Sequence, residues 1–335
     1  MLSAKSGPLG LGDLLDGAFR IYRTHFVRLM LIAAVFFVPL GIISTLLLGA
    51  VVSGYADLFN VAVNEPFYGD GAETAIWSSI SFLFSLFAVA ILNLLCTVLA
   101  YLSLTVQALT LADGDGLSVM QSIRQGVGHF WRFLGMAIIA GVMFFVVAMA
   151  AYMAMIFLFF VFALMAGLFF APVADNEIVM VGFVGITMLF FLGLMAVIAL
   201  PLLGLTARWM TAPVTVVAER LGPMTALGRS WRLTERQTWR SILYVILLAI
   251  LNFVVIGLPV ALLQWLLLVV LTPEMLDVVG GLVAGISFLF NIFWQPFLAI
   301  ALMLRYFDLR VRRESYDLEL QIAGIEAELR PVTLP

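Results

Sequence analysis

The chain has 335 residues, 64% of them hydrophobic and 11% charged, with a mean hydropathy of +1.15. That leaves too little polar surface to coat a water-soluble globule, so lipid must be the solvent for most of it. A formal net charge of -3 argues against a nucleic-acid partner, and a single cysteine, Cys96, excludes an internal disulfide framework.

Lys5 is followed by an amphipathic stretch, and the first apolar run begins only near Leu29, which predicts a retained first span and not a cleavable signal. Runs free of Asp, Glu, Lys and Arg cover about 29–52, 76–111, 133–171, 178–205, 241–271 and 278–304. A helix needs roughly 20 residues to cross a hydrocarbon layer about 30 Å thick, and none of these runs alternates as a barrel strand does. The expected fold class is an all-α integral membrane protein with six transmembrane helices. The runs at 76–111 and 133–171 are longer than one crossing requires, so each is expected to tilt or to extend past the membrane surface.

Charge decides between one span and a hairpin at 133–171. With six spans and the amino terminus inside, the outer loops fall near 53–75, 172–177 and 272–277 and contain no Lys or Arg. They hold Asp57, Glu65, Asp70, Glu73, Asp175, Glu177, Glu274 and Asp277, while Lys5 and all sixteen arginines lie on the other face. Basic flanks resist translocation, so both termini are expected on the cytoplasmic side of the membrane. A seventh span would place the later arginines outside.

The segments entering spans one, three and five align with offsets of 104 and 108 residues. Phe19-Arg20 matches Ile123-Arg124 and Trp231-Arg232, and Val27-Arg28 matches Trp131-Arg132 and Trp239-Arg240. Leu15, Val119 and Leu227 share another column, and His25 matches His129. The chain therefore reads as one membrane domain of three two-span repeats, near 10–112, 113–220 and 221–308, each opened by an interfacial amphipathic helix. Two crossings return the chain to its starting side, so the three units run parallel, compatible with an axis along the membrane normal.

Past the last span, a helix is expected to continue with Asp308 to Arg312, Arg310 to Glu314 and Arg313 to Asp317 pairs, four residues apart. Leu318, Ile322, Ile325 and Leu329 then form an apolar stripe before Pro331, predicting a cytoplasmic amphipathic helix over 309–330 that docks on something.

Three stretches carry a family likeness: Gly12-Asp-Leu-Leu-Asp-Gly-Ala-Phe-Arg-Ile-Tyr-Arg; Arg208-Trp-Met-Thr-Ala-Pro-Val-Thr-Val-Val-Ala-Glu with Ala226-Leu-Gly-Arg-Ser-Trp-Arg-Leu-Thr; and Tyr306-Phe-Asp-Leu-Arg-Val-Arg-Arg-Glu. In their order and spacing the chain resembles the membrane domain family attached to some bacterial glycerophosphoryl diester phosphodiesterases, and related uncharacterised multipass proteins. In such fusions the phosphodiesterase activity belongs to a separate soluble barrel with histidine and acidic metal ligands. No stretch of this sequence matches that barrel, so the resemblance implies no catalytic residue.

The residues themselves also point away from an enzyme, a cofactor or a metal. Phosphodiester hydrolysis needs metal-binding carboxylates or an acid and base in one pocket. His25 and His129 occupy equivalent membrane-entry positions, where Gln237 stands in the third repeat, which favours interfacial packing. Asp113-Gly-Asp-Gly fails as a calcium loop, because the sixth position is Ser118 and the twelfth is Arg124. A turn whose acids favour the next helix N-terminus fits better.

No Asp, Glu, Lys or Arg lies deep in a span, which disfavours coupled ion transport. Asn93, Asn252, Gln264, Asn291 and Gln295 remain as candidate interhelical polar contacts, and Gly281 and Gly285 as a close-packing GxxxG. Arg20, Arg28, Arg124, Arg132, Arg232 and Arg240 are candidate contacts for anionic lipid phosphates, against the simpler reading that they set topology. The expected function is a non-catalytic membrane module that organises lipid, or a protein partner through the carboxy-terminal helix. The alternative is a transporter or flippase for an amphiphile, although the proline-acid-base signature of carriers built from three such units is missing at Pro39, Pro201, Pro259 and Pro296.

Overall fold

The computed structural model describes residues 9–64, 70–114, 116–170, 177–270 and 276–314, and these contain helices and no strand. In chain order they are α1 (Leu11–Thr24), α2 (Phe26–Asn64), α3 (Asp70–Asp113), α4 (Val119–Gly128), α5 (Phe130–Phe170), α6 (Glu177–Trp209), α7 (Ala212–Ala218), α8 (Pro223–Thr234), α9 (Thr238–Asn252), α10 (Leu258–Val270) and α11 (Leu276–Glu314). Six stretches among the described residues are long and apolar enough to cross a membrane: Phe26–Leu47, Ile76–Ala112, Phe130–Met165, Met180–Ala218, Pro223–Leu267 and Gly285–Glu314. This is a helical membrane protein. Residues 133–170 do not form a hairpin but belong to the unbroken 41-residue α5, and 171 lies outside the described residues.

The helices outrun the apolar runs that predict them. At about 1.5 Å per residue the 39 residues of α2 extend roughly 58 Å, nearly twice the hydrocarbon thickness. Most of the loop expected over 53–75 is therefore helix, in α2 up to Asn64 and in α3 from Asp70. Val51, Val52, Leu58, Phe59 and Val61 carry no helix-breaking chemistry, and the first proline is Pro66.

Each predicted entry segment is a short helix, broken from its span at the aligned column. Thr24 ends α1 and Phe26 opens α2 around His25; Gly128 ends α4 and Phe130 opens α5 around His129. In the third case a 3-10 turn, Glu235–Gln237, separates α8 from α9. His129 Nδ1 lies 2.9 Å from the Gln125 carbonyl, so this ring bonds its own helix end. Between α3 and α4, Gly114 takes a left-handed φ of 99°. Ser118 caps α4: its Oγ accepts from the Gln121 N–H, and Gln121 Oε1 accepts from the Ser118 N–H.

Span five contains a π-helical turn, Phe253–Gly257, with Leu258 N–H donating to the Phe253 carbonyl five residues back. Pro259 explains it: the ring would clash with the Val255 carbonyl in a regular helix, and the wider turn moves that carbonyl aside.

The chain divides into two compact units, Met1–Trp131 with Val217–Arg220 and Leu247–Pro335, and Arg132–Val216 with Leu221–Ile246. In the first, burial concentrates at the start of α2, the end of α3 and the later part of α11. Residues 101–108 of α3 are buried without interruption, as are Trp294 to Phe297 and Ala299 to Tyr306 of α11. They pack with Leu14 and Ala18 of α1 and with Leu29, Ile32, Ala33, Phe37 and Leu40 of α2. Where α2 crosses α11, a Cβ on Gly285 would overlap Thr45 Oγ1 and one on Gly41 would meet the Gly285 carbonyl at 3.3 Å. Of the expected GxxxG pair, Gly285 thus makes a backbone-close crossing. The second unit has a small core of Met136, Ala212, Val216, Ala226 and Leu227, flanked by Phe133, Ile139, Ala140, Trp209 and Leu221. Most of α5 and α6 beyond it exposes apolar side chains, as lipid-facing helices do.

Candidate functional site

The chemistry lies where the spans meet the entry helices, and it begins with a column that the sequence spacing hides. Gln107, Thr211 and Asp308 stand at matching places near the ends of spans two, four and six, the last two each three residues after an arginine, Arg208 or Arg305. All three are buried. Gln107 Oε1 accepts from Ser122 Oγ at 2.5 Å, joining α3 to α4. Thr211 Oγ1 lies 2.9 Å from Ser230 Oγ, and Ser230 Oγ also donates to the Arg208 carbonyl, joining the end of α6 to α8. Asp308 Oδ1 accepts from the Leu9 N–H at 3.1 Å, just before α1. Each entry helix therefore seats on the second span of another hairpin: α4 on α3, α8 on α6, and α1 on α11. Ser122 and Ser230 share an aligned position with Ala18, and all three are fully buried.

Close approach makes these seats tight. A Cβ on Gly126 would lie 2.7 Å from Ser103 Cα and backbone N, so α4 packs directly on the α3 backbone. Gly17 faces Leu304 of α11, and Gly135 faces Pro223 at the start of α8, 2.9 Å from a built Cβ.

The third seat is ionic. Arg305 and Asp308 form a salt bridge of 2.6 Å with both side chains fully buried, and Arg312 adds a second at 2.8 Å. Arg312 Nη2 also donates to the Leu9 carbonyl at 2.5 Å, so both polar groups of the Leu9 backbone are held by α11. The expected Asp308 to Arg312 and Arg310 to Glu314 pairs are present; the Arg313 to Asp317 pair and the apolar stripe of the tail lie outside the described residues. Tyr306 Oη donates to Glu219 Oε1 at 2.6 Å, and the preceding α1 places Tyr22 Oη within 3.2 Å of the Phe293 carbonyl. Burial pushes the Tyr22 phenol above its ordinary value.

The six predicted lipid contacts sit on the faces of the entry helices and the first turns of the spans. Arg20, Arg28, Arg124, Arg132 and Arg232 are exposed and Arg240 is half-buried. Arg28 lies against Gly116 of the α3–α4 connection. Among the described residues, Arg20, Arg28, Arg124, Arg232 and Arg240 make no salt bridge, in contrast to Arg305, Arg310 and Arg312. Their neighbours are apolar and exposed: Val27, Trp131 and Trp239, one column, keep 69%, 77% and 70% of their surface. Phe19 and Trp231 are exposed as well.

The candidate intramembrane contacts are more scattered. Asn291 Nδ2 donates to the Ser287 carbonyl of its own helix, and Gln264 is exposed. Gln295 is buried with Oε1 unpaired among the described residues, and Asn93 and Asn252 are half-buried.

Searches against protein-family models, curated proteins and solved structures found no match to this chain.

Proposed function

We propose that the chain is a non-catalytic module of the bacterial cytoplasmic membrane, built from three two-span repeats, whose entry helices lie in the cytoplasmic interface and gather anionic phospholipid. One observation carries this reading. Arg20, Arg28, Arg124 and Arg232 expose guanidinium groups that make no salt bridge among the described residues, and the aligned columns beside them expose apolar or indole side chains at Phe19, Val27, Trp131, Trp231 and Trp239. Water is a poor solvent for an indole left 77% open, whereas the headgroup boundary accommodates both the ring and the adjacent charge. The anion that balances Arg20, Arg28, Arg124 and Arg232 then comes from the lipid.

The repeat organisation is supported by the aligned breaks at His25, His129 and Gln237 and by the equivalent seating of α1, α4 and α8. An inside orientation of the basic ends is supported by the absence of Lys and Arg from the acidic connections. The test is lipid mass spectrometry of the full chain extracted in a mild detergent. Anionic lipid enriched over its share of the membrane is expected, and its reduction in the combined Arg20→Gln, Arg124→Gln and Arg232→Gln variant. Lipid recovered at membrane proportions, unchanged by the substitutions, refutes the reading.

A further inference from the structure

Arg208 was not among the arginines that the entry-segment repeat singles out, yet it is the one whose surroundings are most developed. It occupies the last turn of α6, and its guanidinium carbon lies 4.5 Å from the centre of the Trp231 ring. Trp231 packs against Trp209 with ring centres 6.4 Å apart, and Trp209 meets Phe144 of α5 edge-on at 5.9 Å. The backbone below is fixed, because Ser230 Oγ and Thr234 Oγ1 both donate to the Arg208 carbonyl. These elements belong to one compact unit.

Stacking occupies the face of a guanidinium and leaves its N–H fork free in the plane. Among the described residues that fork has no hydrogen-bond acceptor and no carboxylate. The equivalent arginine of the last repeat shows what is missing. Arg305 finds Asp308 three residues on, but the third residue after Arg208 is Thr211, whose hydroxyl is engaged with Ser230. The chain supplies the anion at one position and omits it at the other.

We infer that Arg208, backed by Trp231, is a binding site for a phosphate ester anion at the basic surface of the membrane. A planar fork matches the paired oxygens of a phosphate, and the half-buried, indole-walled setting strengthens the contact by excluding water. The inference rests on the lipid-gathering reading for its location and adds a particular seat. The phosphate comes from a lipid headgroup or from a free phosphate compound, and the two sources are separable.

The full chain is placed in nanodiscs of phosphatidylcholine with increasing phosphatidylglycerol, and bound phosphatidylglycerol is counted by native mass spectrometry. Arg208→Gln is expected to weaken the tightest binding step about tenfold, the scale of one lost charge-assisted pair, and Arg208→Lys by less. Hydrogen exchange of the unaltered chain provides a readout independent of how the variants fold: phosphatidylglycerol should slow exchange near residues 205–212 and 228–234. Inorganic phosphate, set against chloride at equal ionic strength, separates the sources. Displacement of the lipid assigns the seat to free phosphate, and its absence assigns it to a headgroup. If Arg208→Gln binds as the unaltered chain does, or exchange at those segments ignores the anionic lipid, the site is refuted. If in that case the combined Arg20, Arg124 and Arg232 variant still loses lipid, the broader reading survives; if neither set matters, both fall.

Discussion

Replacing Asp308 by Asn removes one charge and almost nothing else, which makes the ionic seat of α11 measurable. The amide keeps an oxygen at Oδ1, so the Leu9 N–H retains its acceptor and about 1 kcal/mol of hydrogen bonding is spared. What is lost is the negative charge 2.6 Å from Arg305, whose side chain is fully buried. Breaking a buried pair from one side costs about 3–5 kcal/mol. Arg312 is 16% exposed and can turn outward, so its share is small and the expected loss is near the lower end, about 3 kcal/mol. Equilibrium unfolding of the full chain in mild detergent, followed by tryptophan fluorescence, measures it. Arg305→Met in the Asp308→Asn background removes the other buried charge of the pair and should recover half of the loss or more. An Asn variant within about 0.5 kcal/mol of the unaltered chain, or a double variant whose loss equals the sum of the singles, would refute a buried, coupled pair.

Gly126→Ala should destabilise by about 1–3 kcal/mol, although alanine favours a helix, because the new Cβ meets the Ser103 backbone; unfolding in detergent reads it. Ser122→Ala leaves the buried Gln107 Oε1 without its donor and should cost about 1–3 kcal/mol, whereas Thr110→Ala, whose hydroxyl bonds only its own helix at Gln107, serves as a near-neutral comparison. Gly285→Ala should loosen the α2–α11 crossing through contact with Thr45, and Thr45→Ala in the same chain should restore part of the loss; pairwise coupling of the two is the readout. Pro259→Ala should allow the π turn at Phe253–Gly257 to close to a regular helix, seen as altered amide exchange confined to span five.

The spans were legible because a bilayer imposes one simple rule, a long apolar helix, and the runs meet it without ambiguity. Their ends were not. Nothing in the composition of 53–64 distinguishes a helix that continues beyond the membrane from a loop, since Val, Leu and Phe suit either. The entry helices were legible through paired positions such as Phe19-Arg20 and Trp231-Arg232, and the break column through His25 and His129. The seats beneath them were hidden. Gln107, Thr211 and Asp308 share a place but no side-chain chemistry, and their partners are a serine, a serine and a backbone amide. Asp308 was readable only as a surface pair with Arg312, because the i,i+4 spacing gives no sign that Arg305 is buried against it. Arg208 lacked a signal for a similar reason: its stacking on Trp231 joins residues on different helices.

The central claim is that the arginine-bearing ends of the spans share the cytoplasmic surface. With Cys96 replaced by Ser, single cysteines are introduced at Met120 of α4, Met224 of α8 and Glu73 of α3, all exposed. A membrane-impermeant maleimide added to intact spheroplasts should label position 73 at once, and positions 120 and 224 only after the membrane is permeabilised. Labelling of position 120 or 224 in intact spheroplasts would contradict the orientation, and the triplicated phosphate-facing surface would fall with it.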